Sequence, residues 1–158
     1  MLSTQVDTRV LGYLGRALSL ELTAVQQYST QAQLVGAWGL TEAAREFKQE
    51  ASEELGHAER IISRMLALGV APNASQLRPV SLANNLIELL QHNHAFEYEL
   101  VELYQNAASH CARLGDHDNR LFFETLLNEE VAHGEHLAKW IQEIQGSQNS
   151  ADHNRATF

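Results

Sequence analysis

The 158-residue sequence is short of the residues that interrupt helices and of those that build sulfur chemistry. Its one cysteine, Cys111, excludes an intrachain disulfide and a cysteine-built zinc finger, and reads as a small core residue. Its two prolines, Pro72 and Pro79, fall in one stretch, so the rest of the chain is open to long helices. Basic residues are few, 11 against 20 acidic ones, for a formal charge of −9. That argues against nucleic acid, whose phosphates are held by Lys and Arg, and suits a metal cation. No run of about 18 apolar residues occurs, so no membrane span is expected. The first ten residues carry Asp7 and no apolar signal core, so the expected location is cytoplasmic. What remains, 44% apolar and 20% charged, describes one folded domain.

The breaks divide the chain into four segments. Gly69, Pro72, Asn73, Ser75 and Pro79 mark a connector over 70–80. Gly36 and Gly39 bracket Trp38, with Thr41 as a candidate N-cap. Gly115, with Asp116 and Asp118, marks another stop and restart, and Gly146 precedes a polar tail. Helices are therefore expected at about 4–36, 41–68, 81–114 and 118–145. Residues 1–146 form the domain, and the tail, 147–158, is expected to be poorly ordered. Each segment carries an apolar stripe at helical spacing, such as Leu11, Leu14, Leu18, Val25, Tyr28, Ala32 and Val35 in the first. Short outer turns make helices 1–2 and 3–4 antiparallel neighbours. The middle connector is long enough to return along the bundle. The expected fold is all-α, an antiparallel four-helix bundle with one long crossover between helices 2 and 3.

Charged residues interrupt these stripes. Glu21 sits between Leu18 and Val25, and Glu97 between Leu90 and Leu100. Glu54 and His57 sit between Ala51 and Ile61, and Glu130 and His133 between Leu126 and Leu137. Buried ions persist only when paired or bound to metal. Glu54–His57 and Glu130–His133 are the chain's E-x-x-H pairs, and an i, i+3 pair projects from one helix face. Glu97, Glu130 and His133 follow Glu21, Glu54 and His57 at one constant offset, an internal two-fold repeat. Glu21 and His57 are equidistant in sequence from Gly39, and Glu97 and His133 are equidistant from Gly115. Hairpins turning at those points set each pair level. A single E-x-x-H is common on helix surfaces and means little. Six groups sharing one repeat and one level point to a two-metal carboxylate centre of the ferritin-like kind. Carboxylate and imidazole without thiolate suit iron, manganese or zinc. Tyr28, two turns after Glu21, could donate a hydrogen bond or an electron there, or be a core tyrosine with a satisfied hydroxyl.

Several segments resemble bacterioferritin: Glu21-Leu-Thr-Ala-Val-Gln-Gln-Tyr28, Trp38-Gly-Leu40, His57-Ala-Glu-Arg60 and Leu68-Gly-Val-Ala-Pro-Asn73. The resemblance covers about residues 4–145. It implies a 24-mer shell that oxidises Fe(II) with O2 or H2O2 and stores ferric mineral. It implies two iron ions per subunit, bridged by Glu54 and Glu130. Glu21 and Glu97 would be terminal ligands, with His57 and His133 giving one imidazole per metal. That family holds haem between two subunits through a methionine just after the glutamate of the first E-x-x-H. Here the position is Leu55, so no haem is expected in a homopolymer, and co-assembly with a haem-binding partner subunit is an option. The polar tail stands where the family usually adds a short fifth helix lining four-fold pores.

Other histidines are weaker signals. His94 and His136, each one turn from a candidate ligand, read as surface residues, with an outer role at the centre as the alternative. His92, His110, His117 and His153 read as solvent-facing. A non-storing di-metal oxidase or peroxidase is a second functional class, and a non-catalytic shell subunit a third. The single cysteine argues against a thiolate-rich electron-transfer partner domain, and the complete ligand set against a bare scaffold.

Overall fold

The computed structural model describes residues 5–155, with side chains described through 148. It holds four helices, and no strand occurs among the described residues. They are α1 (Thr8–Ala37), α2 (Thr41–Ala67), α3 (Leu86–Leu114) and α4 (His117–Arg155). The pairs α1–α2 and α3–α4 pack along their lengths, and α1 lies against α3. Arg60 reaches Glu129 at 2.7 Å and Arg64 reaches Asn119 at 2.8 Å, which ties α2 to α4. The expected all-α bundle with one crossover is the fold observed.

The apolar stripes meet along the bundle axis. Leu14, Leu18, Phe47, Ile61, Leu90, Leu100, Phe123, Leu126 and Leu137 are all buried. Each such burial contributes about 1.5–3 kcal/mol. Cys111 is also buried in this core.

The turns obey the same repeat as the glutamates. Gly39 and Gly115 stand at equivalent positions of the two halves, and both adopt positive φ, 82° and 70°. In each case the next amide reaches back to close the helix end, Leu40 to the Val35 carbonyl and Asp116 to that of Cys111. A side chain at either glycine would meet the left-handed steric penalty.

Helix boundaries differ from the sequence reading at four points. α1 begins at Thr8, not near 4, because the Asp7 carboxylate caps it, accepting from the Arg9 and Val10 amides. Thr41 is the first residue of α2 rather than its cap, and Leu40 at the cap position offers no side-chain acceptor. α3 begins at Leu86, not near 81, because the first side-chain cap is Asn85, which accepts from the Glu88 amide at 3.0 Å. α4 runs on through Gly146 to Arg155. One exposed glycine costs a helix only about 1 kcal/mol, and no proline follows to stop it. Residues 156–158 of the expected tail lie outside the described residues.

The crossover is strapped to α1 by polar contacts. The Gln76 amide donates to Ser19 Oγ at 3.0 Å and the Arg78 amide to Thr23 Oγ1 at 3.2 Å. A buried amide cluster lies behind it. Asn93 Oδ1 accepts from Gln27 Nε2 at 2.8 Å and from Gln31 Nε2 at 3.0 Å. Asn93 Nδ2 donates to Gln31 Oε1 at 2.7 Å. Unpaired buried amides cost about 1–3 kcal/mol each. Asn93→Leu is therefore expected to destabilise the chain by about 2–3 kcal/mol, lowering the urea midpoint with the slope unchanged.

Candidate metal centre

Each helix contributes a polar level to the core. Glu21, Glu54, Glu97 and Glu130 have no exposed surface, and His57 has 4%. Helical spacing carries Glu54 and His57 on one face of α2, and Glu130 and His133 on one face of α4. Each hairpin then sets α1 and α3 glutamates opposite those faces.

The groups form two nests that share Glu54. Glu21, Glu54, His57 and Glu130 offer ligand atoms that all lie within 4.8 Å of one another. Glu50, Glu54, Glu97 and His133 do the same. Glu54 and Glu130 face both imidazoles. His57 Nδ1 lies 2.7 Å from Glu130 Oε1 and 3.3 Å from Glu54 Oε2. His133 Nδ1 lies 2.8 Å from Glu54 Oε1 and 3.3 Å from Glu130 Oε2. The two rings stack at 5.6 Å between centroids. Glu21 Oε1 lies 3.5 Å from His57 Nδ1.

The electrostatics follow from packing so much acid together. Burial pushes the Glu21 and Glu97 carboxyls well above the usual range, helped by the neighbouring Glu54 and Glu130 carboxylates. Burial also works to raise Glu54 and Glu130, but their contacts with the two imidazoles and with Glu21 and Glu97 hold both low. Burial disfavours the imidazolium forms, yet the glutamates reverse this. Glu130, Glu21 and Glu54 raise His57 strongly, and Glu130 and Glu54 push His133 up to about 12. Burial carries Glu50 to about 7.

The donor set fits hard or borderline divalent cations. Glu21 Oε2, Glu97 Oε2, Glu130 Oε2 and both Glu54 oxygens are buried and lack a hydrogen-bond partner among the described residues. Buried carboxylate oxygens without donors are costly, and cations between them would remove that cost. Oxygen and imidazole ligands without sulfur could hold a pair of ions such as iron, manganese or zinc.

Comparison with known proteins agrees with this geometry. Residues 11–147 match the Ferritin family, a ferritin-like domain. A bacterioferritin of Rhodobacter capsulatus is 37% identical over 135 residues, covering 85% of this chain and 84% of its own. One from Brucella melitensis is 31% identical over 157 residues, covering 95% and 98%. The chain belongs to the bacterioferritin family. A solved structure of the Rhodobacter capsulatus bacterioferritin superposes with a TM-score of 0.85 at 34% identity, covering 90% of this chain and 89% of that one. That protein is described with a metal-free dinuclear site and a haem iron.

In this member of the family the structure brings together all six candidate ligands read from the sequence, and Tyr28 with them. The Tyr28 hydroxyl donates to Glu97 Oε1 at 2.7 Å. Sequence reasoning missed four further residues. Glu50, one turn before Glu54, joins the His133 nest. Glu53 Oε2 lies 2.7 Å from His133 Nε2, and Glu129 Oε2 lies 3.9 Å from His57 Nε2. Glu53 is at the distance from which an outer carboxylate orients an imidazole, whereas Glu129 accepts from Arg60 at 2.7 Å. The fourth is Tyr104, whose hydroxyl donates to Glu21 Oε1. Glu53 with Glu129, and Tyr28 with Tyr104, are separated by the same offset as the ligands, so the repeat itself was the available signal.

The remaining histidines separate. His94 is exposed, and with Tyr98, Gly134 and Glu135 it lines a cavity of about 240 Å³ that also touches Glu97 and Glu130. His136 is exposed and lies 3.5 Å from Glu46. His92 and His117 are exposed, and the side chain of His153 lies outside those described. His110 corrects the sequence reading. It is buried, with Nε2 2.8 Å from Asp7 Oδ1, because its place on α3 faces the cap of α1.

The residue just after the glutamate of the first E-x-x-H is Leu55. Leu55 is 43% exposed on α2 and offers no donor atom, while Met65 is buried in the core. A homopolymer reconstituted with hemin is therefore expected to show no stoichiometric Soret band after gel filtration.

Proposed function

We propose that this chain is an iron-storing ferroxidase, oxidising Fe(II) with O2 or H2O2 at a two-iron centre and keeping the ferric product in a multi-subunit shell. The single observation that carries this reading is the level of four buried glutamates with buried His57 and half-buried His133, in which Glu21 Oε2 and Glu97 Oε2 have neither a hydrogen bond nor an ion pair among the described residues. Glu21, Glu54, His57, Glu97, Glu130 and His133 are the ligands, with Glu54 and Glu130 shared between the ions. Two Fe(II) ions supply two electrons, which matches reduction of O2 to H2O2 or of H2O2 to water.

The chain's own residues do four things. Glu54 and Glu130 turn one oxygen toward each imidazole, the arrangement of a shared ligand. Glu53 orients His133 from outside. The surrounding Tyr28, Phe47 and Leu100 exclude bulk water. Tyr28 holds Glu97 and is placed to donate an electron. Family membership supports a 24-mer and a cytoplasmic store. No helix among the described residues is long and apolar enough to cross a membrane. The mismatch at Leu55 supports a haem-free homopolymer, or co-assembly with a haem-binding subunit.

The test is aerobic addition of Fe(II) to the apoprotein, following ferric absorbance and sizing the particle. A rapid phase ending near two irons per chain, then slow growth inside a large shell, is expected. Oxidation by a small oligomer that retains no iron would favour a non-storing oxidase. Absence of a rapid phase would leave only a scaffold.

A further inference from the structure

The two-fold repeat extends one step past the metal ligands. Tyr28 follows Glu21 two helical turns later on α1, and Tyr104 follows Glu97 in the same way on α3. Each tyrosine therefore shares a helix face with one terminal glutamate. Neither bonds to the glutamate on its own helix. Tyr28 donates to Glu97 Oε1 at 2.7 Å, and Tyr104 donates to Glu21 Oε1 at 2.5 Å. The two bonds cross between α1 and α3 as a reciprocal pair. Tyr104 has no exposed surface and Tyr28 has 2%. In both glutamates the bond engages Oε1, and Oε2 is left buried without a hydrogen-bond partner among the described residues.

The geometry points to Tyr104 as a positioning residue that holds Glu21, with Oε2 as the free oxygen, for the ion on the His57 side, as Tyr28 holds Glu97 on the His133 side. This rests on the two-metal reading above. A phenol kept only for packing would satisfy its hydroxyl on any nearby acceptor. Here two phenols, placed by one repeat, both find Oε1 of a terminal glutamate and leave its Oε2 unbonded. Tyr104 acts through Glu21, so its contribution exists only while that carboxylate is present.

Co(II) titration of the apoprotein, read by visible absorbance, tests this without turnover. The unaltered chain is expected to bind two Co(II). Tyr104→Phe, which removes one oxygen atom, should weaken one of the two ions about 10-fold to 100-fold, the usual cost of losing an outer partner. The effect should vanish in a Glu21→Ala background and persist in a Glu97→Ala background. Equal losses in both backgrounds, or no loss, overturn the assignment of Tyr104 alone. Failure of the unaltered chain to bind a Co(II) pair overturns the two-metal reading and Tyr104's role together. Should Tyr104→Phe not fold, Zn(II) can be added to Tyr28→Phe, in which Tyr104 is the tyrosine bonded to the centre. A tyrosine difference spectrum that saturates with the metal supports the role, and a flat one overturns it.

Discussion

Glu130→Ala should abolish the rapid phase of Fe(II) oxidation. Glu130 presents Oε1 to His57 at 2.7 Å and Oε2 to His133 at 3.3 Å, so its loss removes a ligand from both ions at once. Losing an outer partner of a metal ligand costs about 10-fold to 100-fold, and loss of a shared ligand should exceed that range. Glu21→Ala touches one ion only and should leave a slower, partial phase. Alanine also leaves two raised imidazoles without their strongest partner, and breaking a buried ion pair costs about 3–5 kcal/mol. Glu130→Gln separates lost volume from lost charge, since it keeps the volume and one oxygen but not the charge. Stopped-flow ferric absorbance, with melting curves for both variants, gives the answer. A full-amplitude rapid phase in folded Glu130→Ala would remove Glu130 from the ligand set.

What the sequence revealed about the centre depended on repetition. Glu21, Glu54 and His57 stood out because Glu97, Glu130 and His133 echo them at one spacing. Glu50 has no echo, since the equivalent position in the second half is Leu126, a core leucine. It looked like one more acid on a charged helix, and only the approach of α4 shows that it faces His133 at 3.8 Å. Tyr104 did have an echo in Tyr28. It lies on the buried face of α3 with Leu100 and Ala108, where helical periodicity does not distinguish a tyrosine ring from any other buried side chain. The Asp7–His110 contact joins the cap of α1 to α3, residues that no local pattern relates. Helix starts followed capping side chains, so Asp7 and Asn85 moved them inward from where the apolar periodicity began. Periodicity reports which face is buried, whereas end points depend on individual hydrogen bonds.

The metal-free protein should lose stability as pH rises through neutrality, and divalent metal should reverse this. Glu21 and Glu97 are raised well above their ordinary range, so both keep protons in the folded state that the unfolded chain releases. His57 and His133 are raised too, the latter to about 12, so both stay imidazolium where unfolded histidine is neutral. For all four groups the folded state binds more protons near pH 7, and stability falls with rising pH wherever that holds. The imidazole contribution is fully present below about pH 6.5 and is lost toward the folded values. The carboxyl contribution is fully present below about pH 4.5 and is lost in the same upward direction. A single proton difference is worth about 1.4 kcal/mol per pH unit. A fall in Tm between about pH 6 and pH 8 is therefore expected for the apoprotein. Two divalent ions carry four positive charges, the same as the two carboxyl and two imidazolium protons they displace. Metal affinity should then rise steeply over the same interval, and saturating ions at about 100 times Kd add about 2.7 kcal/mol per site. Melting curves with and without Zn(II), which has no redox chemistry, should diverge as pH increases. Curves that stay parallel would show that these four protons are not displaced by the metal. A pH-stat titration is the direct measure, counting about four protons released per Zn(II) pair from these groups and part of a fifth from Glu50, which burial carries to about 7.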